Sequence, residues 1–386
     1  MVLHLKLKKE DELLIYLVQT SLNHETEIEV KNLFENGVDM DYLFAKASYH
    51  GLSPLVYCSL KNYQDNLTEN VWRSWEDNFF RNTQKNLLFM GELLKLLQIF
   101  NKNNIIVIPY KGPIMALYSY GHLSLREFRD LDIYINKSDF YNVKKILVNE
   151  NYETVLNLDS SKEEEYMKSQ REYKFKNKYN GLNLEIHWNV AGFSFSFPYE
   201  SSFPISKNLF KIISINDQEI KMFSDEDLLL ILSLHSAGHL WSRLLWVCDI
   251  AELIKGSEGM DWDQIIEKAK YLAIERILYL NLSLSQIIFN LKLPKKVQNC
   301  IKDETQVEIL EEQVLNLIFN SENVNIFSKV KLRFNMRENK INGFKDIIRI
   351  LITPRSSEWN SFQENIPIKL LYILKRPVQI IKRLKE

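Results

Sequence analysis

Asp130 and Asp132 flank a single leucine in the stretch RDLDIYIN. On an extended strand, residues i and i+2 point to the same face, with Cα atoms about 6.5–7 Å apart. Two carboxylates so placed can jointly hold hard divalent cations. Mg²⁺ takes oxygen ligands and keeps positions open for substrate phosphates. A two-metal site needs ions ~3.5–4 Å apart and a carboxylate that bridges them. A third acid is then expected from a neighbouring strand, and Glu185 in LNLEIHW is the candidate. A lone carboxylate amid Leu182, Leu184, Ile186 and Trp188 is costly to bury. It therefore faces outward or binds a cation. Alternation puts His187 on the face of Glu185, opposite Leu184 and Ile186.

Cations accompany the acids. Lys111-Gly112 ends an apolar run, and a glycine before a helix start lets an anion approach backbone N–H groups. Lys111, Arg126 and Arg129 can neutralise a triphosphate; for Lys111 a simple solvated lysine is the competing reading. His187 is either an acceptor-binding or a structural residue. Further on, His235, His239 and Arg243 recur at i, i+4 and i+8, with Trp246 and Asp249 close to the same face if one helix runs unbroken through Gly238. Two readings stand: an interfacial polar stripe, or a helix that closes over bound phosphates and a ring. Zinc ligation by the two histidines is disfavoured, because no Glu follows the first as in His-Glu-x-x-His.

The elements that must position these groups fall into three parts. Residues 1–95 read as a helical region with a packing or lid role. Leu13, Leu14 and Leu17 recur at helical spacing, and a strongly apolar helix through Leu87, Leu94, Leu97 and Phe100 ends near Asn101. Residues 96–223 read as a mixed α/β core. Ile105–Ile108 predict a strand, Pro113 opens a helix, residues 131–135 form a second strand, and Ser138 caps the helix that follows. Asn180-Gly181 marks a hairpin, and a second hairpin turns at Asn216-Asp217. Residues 224–386 read as a helical domain, opened by Ser224 with an acidic first turn.

The chain has 386 residues, 46% of them apolar and 26% charged, which suits a soluble multi-element protein. With 49 basic and 50 acidic residues it offers no electrostatic case for a nucleic-acid partner. Cys58, Cys248 and Cys300 lie far apart and read as reduced thiols. No signal-peptide pattern or bilayer-spanning run is present, so a cytoplasmic protein is expected. The basic, apolar C-terminus around Lys375, Arg376, Lys382, Arg383 and Lys385 is expected to dock as a helix by its apolar face.

Together these motifs resemble the bacterial uncharacterised nucleotidyltransferase family of the DNA polymerase β-like superfamily. The resemblance rests on Lys111-Gly112, then Arg126-x-x-x-Asp130-Leu131-Asp132, then Glu185-Ile186-His187-Trp188. It continues through His235, His239, Trp241, Arg243, Trp246 and Asp249, and in TPRSSEW and KRPVQIIKRL near the C-terminus. It spans roughly residues 85 to 386. It implies an α+β fold with a polymerase β-like core between helical regions. It also implies that Asp130, Asp132 and Glu185 bind two Mg²⁺, with Mn²⁺ as a substitute. A nucleoside monophosphate would pass from a triphosphate to an acceptor hydroxyl on a small molecule, peptide or protein, releasing pyrophosphate. Glu185 would be the ligand nearest the attacking oxygen. Two departures stand out: Pro113 follows Gly112 where the wider superfamily has serine, and Arg129 fills a position that is usually small. Two rival readings are a metal-dependent sugar transferase with a nucleotide-sugar donor, and a non-catalytic nucleotide-binding partner protein.

Overall fold

Alternating apolar residues in the middle of the chain form seven strands: β1 (Val107–Pro109), β2 (Asp130–Ile135), β3 (Tyr152–Thr154), β4 (Glu172–Asn177), β5 (Asn183–His187), β6 (Phe210–Ile215) and β7 (Gln218–Phe223). They are seen in a computed structural model that describes residues 7–19, 24–192, 194–197, 210–215, 217–257, 259–320, 325–354 and 356–361. The first five strands make one mixed sheet in the order β1-β2-β5-β4-β3, and β6 and β7 pair as a separate hairpin. β2 and β5 run parallel, with Asp132 opposite Glu185 and Tyr134 opposite His187. Every other pairing in the sheet is antiparallel. Leu131, Ile133, Leu184 and Ile186 point to the buried face. A period of two then sends Asp130, Asp132, Glu185 and His187 to the other face.

Several local expectations shift. The first strand starts at Val107, two residues past Ile105. Asn136 caps the short turn Lys137–Asp139 that leads into the helix Phe140–Asn149 by accepting from the Ser138 N–H, so Ser138 is capped and is not itself the cap. The short β3 and the helix Ser160–Ser169 carry too little apolar pattern to be read from sequence. Asn180-Gly181 and Asp217 do turn their hairpins, with Gly181 and Asp217 at positive φ. Ser224 accepts from the Asp227 N–H and opens the helix Asp225–Gly238. The three cysteines are free thiols. The basic C-terminal segment lies outside the described residues.

Helices flank the sheet on the N- and C-terminal sides. The helix Glu69–Lys102 carries Phe89, Leu93, Leu96, Leu97 and Phe100 on its buried face and runs past residue 95. Its two buried amides do something more specific. Asn86 donates to the carbonyls of Leu123 and Arg126 at 2.7 and 2.9 Å, and Asn82 donates to that of Ser124 at 3.0 Å. The loop that feeds β2 is thereby fastened to this helix. No helix among the described residues is long and apolar enough to cross a membrane.

The N-terminal helices also dock on the C-terminal ones. His50, fully buried at the end of the helix Met40–His50, accepts from the Leu244 N–H through Nδ1 at 3.4 Å. Burial, with the Lys46 and Arg243 cations, lowers its pKa to about 3. An unfolded histidine titrates near 6.5. The folded value is depressed, so the stability this neutral imidazole contributes is complete above pH ~6.5 and is lost as pH falls toward 3. The expected loss reaches on the order of a few kcal/mol. Urea unfolding midpoints followed from pH 7 to 4 should fall, and should fall less steeply in His50→Gln.

Candidate active site

β2 and β5 set the geometry, and the side chains on their open face form one cluster. The Asp132 carboxylate, buried, accepts at Oδ1 from Lys111 Nζ at 3.1 Å and from His187 Nε2 at 3.0 Å. His187 Nε2 also lies 3.6 Å from Glu185 Oε2, and its Nδ1 lies 3.6 Å from Glu172 Oε2. Lys174, directly opposite Glu185 on β4, donates to Glu185 and lies 3.2 Å from Glu172. One ligand atom each from Asp132, Glu185 and His187 fall within 4.8 Å of one another. Asp130 shares their strand face, and among the described residues its carboxyl makes no hydrogen bond or ion pair.

The charges follow from these contacts. Burial opposes ionisation of Asp132, but the Lys111 ammonium and His187 outweigh it and hold the carboxyl far below the usual range. Burial and the repulsion of Asp132 act against Glu185 too; the nearby His187 and the charge of Lys174 still bring it down to about 2. Burial disfavours an imidazolium at His187, yet its bond to Asp132 and the nearby Glu185 and Glu172 carboxylates raise it to about 9. Asp130 is pushed up to about 7 by burial and by the Asp132 and Glu185 charges.

These groups line a cleft of about 820 Å³. Lys111, Arg126, Arg129, His235, His239 and Arg243 line it as well, so ten of the eleven residues singled out from sequence come together. Gly112 is the exception. It is buried at φ +53°, and a Cβ there would lie 3.2 Å from the Asp130 carbonyl oxygen. Its freedom serves this close backbone approach. The segment Gly112–Tyr118 that follows is a short buried helix.

Arg126 also has a different setting from the one expected. Its Nε and Nη2 both donate to the Asp249 carboxylate at 2.7 Å, and Tyr120 Oη donates to the same group at 2.7 Å. Two of its three guanidinium nitrogens are thereby held by protein, where the sequence suggested a phosphate. The attraction of Asp249 offsets burial and keeps the guanidinium firmly charged. Arg129, by contrast, is exposed at the rim.

The stripe of His235, His239 and Arg243 does not lie on one helix. The helix Asp225–Gly238 ends at Gly238, Leu240 and Trp241 adopt positive φ, and a new helix, Leu244–Gly256, starts after Arg243. Trp241 explains the corner: its ring is fully buried and its Nε1 donates to Asn281 Oδ1 at 2.8 Å. The rings still meet across the break. His239 lies 4.6 Å from Trp246 and 4.7 Å from His235, centroid to centroid. Burial and the nearby Lys111 drive His235 well below its ordinary pKa, and burial with the Lys111 and Arg333 charges lowers His239 to about 4. Both imidazoles are neutral near pH 7.

Lys174, Glu172, Arg171 and Arg333 also line the cleft and were not singled out from sequence. Lys174 was within reach, because the Asn180-Gly181 turn fixes the register that sets it opposite Glu185. Arg333, on the distant helix Ile326–Asn335, carries no local signal.

The site is an acidic face on a parallel strand pair of a mixed sheet, flanked by helices, and by its family the protein is a nucleotidyltransferase. The chain belongs to the family described as uncharacterised nucleotidyltransferase, which matches residues 36–290. The match begins among the N-terminal helices, earlier than residue 85, and stops well short of the C-terminus. No curated protein sequence matches the chain. Among solved structures it is similar to the lincosamide antibiotic adenylyltransferase LnuA with lincomycin bound, at 20% identity and TM-score 0.32, over 43% of this chain and 97% of that one. It is also similar to ANT(2")-Ia in complex with adenylyl-2"-tobramycin, at 11% identity and TM-score 0.27, over 55% and 94%. A third is an antigenic nucleotidyltransferase-like protein from Paracoccidioides brasiliensis, at 18% identity and TM-score 0.34, over 53% and 88%.

Removing one partner of a buried ion pair strands the other charge and costs about 3–5 kcal/mol. Asp249→Asn should lower stability by about that amount, read from urea unfolding. An unchanged midpoint would show that Arg126 finds another anion.

Proposed function

We propose that the protein transfers a nucleoside monophosphate from a nucleoside triphosphate to the hydroxyl of an acceptor. The observation that carries this reading is the register of Asp132 against Glu185, with Asp130 on the same face. The donor set fits a divalent cation: the carboxylates of Asp132 and Glu185 converge with His187, and Asp130 on the same face has an open carboxyl without a partner among the described residues. Asp130, Asp132 and Glu185 would hold Mg²⁺, with His187 beside them. Bound there, Mg²⁺ supplies Lewis acidity to the phosphate and a lower pKa to a nearby hydroxyl.

The chain's own groups do the rest. Lys111, fixed by Asp132 at the floor of the cleft, presents its charge to the reacting phosphate. Arg129 and Arg243 meet the outer phosphates from the rim. The His235, His239 and Trp246 rings form a wall that keeps water from the acids. The acceptor oxygen attacks the α-phosphorus in line, its proton leaves, and the bond to pyrophosphate breaks. Arg126, held by Asp249, positions the entry to β2.

The test is pyrophosphate release from each nucleoside triphosphate with Mg²⁺ and a panel of hydroxyl acceptors, with the added mass read on the acceptor. The expected product carries a nucleoside monophosphate. Asp132→Asn should reduce the rate by at least about a hundredfold, since even outer partners of metal ligands are worth 10–100-fold. Wild-type rates in that variant, or addition of a hexose from a nucleotide sugar, would overturn the proposal.

A further inference from the structure

The end of the cleft farthest from Asp130 is built differently from the acidic floor. Arg171 precedes β4, and its carbonyl accepts from the Trp188 N–H at 3.0 Å, one step beyond the last β4–β5 pair. Asp130 is level with Asn183 at the other end of β5. Five residues of strand separate the two levels, roughly 16 Å. Arg333 reaches the cleft from the helix Ile326–Asn335 and donates to the Gly238 carbonyl at 2.9 Å, beside His239.

Both guanidinium groups are short of partners. Among the described residues neither forms an ion pair, and Arg171 Nε and Arg333 Nη1 are buried without a hydrogen bond. Burial lowers Arg333 to about 10, and burial together with the Arg349 charge lowers Arg171. The nearby acid, Asp346, accepts from the Ser196 N–H and Oγ through Oδ1, while its Oδ2 lies 3.7 Å from Arg337 and makes no hydrogen bond. Both arginines are half-buried, and a guanidinium is suited to bind a carboxylate or phosphate through two parallel hydrogen bonds.

We infer that Arg171 and Arg333 form an oxyanion subsite for the acceptor, which is therefore a hydroxyl compound that also bears a phosphate or carboxylate group. The inference rests on the nucleotidyl-transfer reading for its choice of acceptor over donor. In-line displacement puts the acceptor opposite the departing pyrophosphate. Arg129 at the Asp130 end would face the pyrophosphate, which leaves the Arg171 end to the acceptor.

The probe is inorganic phosphate, titrated calorimetrically into the full chain with and without a saturating non-hydrolysable nucleoside triphosphate and Mg²⁺. Phosphate should bind equally well in both conditions. Arg171→Gln and Arg333→Gln should each weaken it tenfold or more, and Arg333→Lys should recover part of the loss. Competition between phosphate and the nucleotide in the wild-type protein would overturn the inference and give the arginines to the donor. That measurement needs no variant, so it decides even if a substituted chain fails to fold. Wild-type phosphate affinity in folded Arg171→Gln and Arg333→Gln would also overturn it. In the transfer assay, phosphorylated or carboxylated acceptors should be preferred over their neutral counterparts, and Arg171→Gln should raise their KM. Transfer to neutral acceptors alone, unaffected by Arg171→Gln, would sink the subsite while leaving nucleotidyl transfer standing. Absence of any transfer, with phosphate still bound by the arginine pair, would sink the transfer reading and with it the assignment to an acceptor.

Discussion

The buried pair of Arg126 and Asp249 sits where three parts of the chain meet. Arg126 sits in the loop that enters β2, Asp249 on the helix Leu244–Gly256, and the carbonyl of Arg126 is bound by Asn86 of the long N-terminal helix. Two charges removed from water are tolerated only when their geometry is good and their remaining hydrogen-bonding capacity is met. Here the fork of the guanidinium matches both carboxylate oxygens, and Tyr120 adds a third donor. Four residues later β2 begins with Asp130. The placement of the acids therefore depends on a contact that touches none of them.

The acidic face is balanced by cations that the fold supplies. Lys111, Lys174 and His187 each meet one or two of the carboxylates, and they come from the turn after β1, from β4 and from β5. This is why Asp132 and Glu185 stay ionised although buried. Asp130 is left out of the balance and bears the repulsion of its neighbours. The same sheet thus offers two paired acids and one unsatisfied acid, an arrangement that favours an added cation over a dry core.

Much of this was legible in the sequence because strand periodicity is rigid. Once 131–135 and 182–188 are strands, Asp130 with Asp132, and Glu185 with His187, must share faces. The Asn180-Gly181 turn then fixes which β4 residue faces Glu185. The helical side was less legible. A period of 3.6 through Gly238 predicts one continuous face, and a buried tryptophan at 241 breaks it, since the ring is held by a bond to Asn281 forty residues away. The pairing of Arg126 was hidden for a similar reason. An arginine near a phosphate site and an arginine in a buried pair look alike until Asp249 is brought alongside. Arg171 and Arg333 were invisible because their meaning lies in what they lack, and an absent counter-charge has no sequence pattern.

The parallel pairing of β2 with β5 has a kinetic side. Asp132 and Glu185 lie about fifty residues apart in the chain, and β3, β4 and two helices intervene between them. Parallel pairs of such separation must close a long loop before any contact rewards the loss of entropy, so they form late. Until they do, the carboxylates are distant, solvated and indifferent to one another. The repulsion between Asp132 and Glu185 thus enters only when β2 and β5 pair. A cation that requires all three acids recognises the finished sheet and nothing earlier, so it acts on the lifetime of the native state and not on the speed with which the chain reaches it.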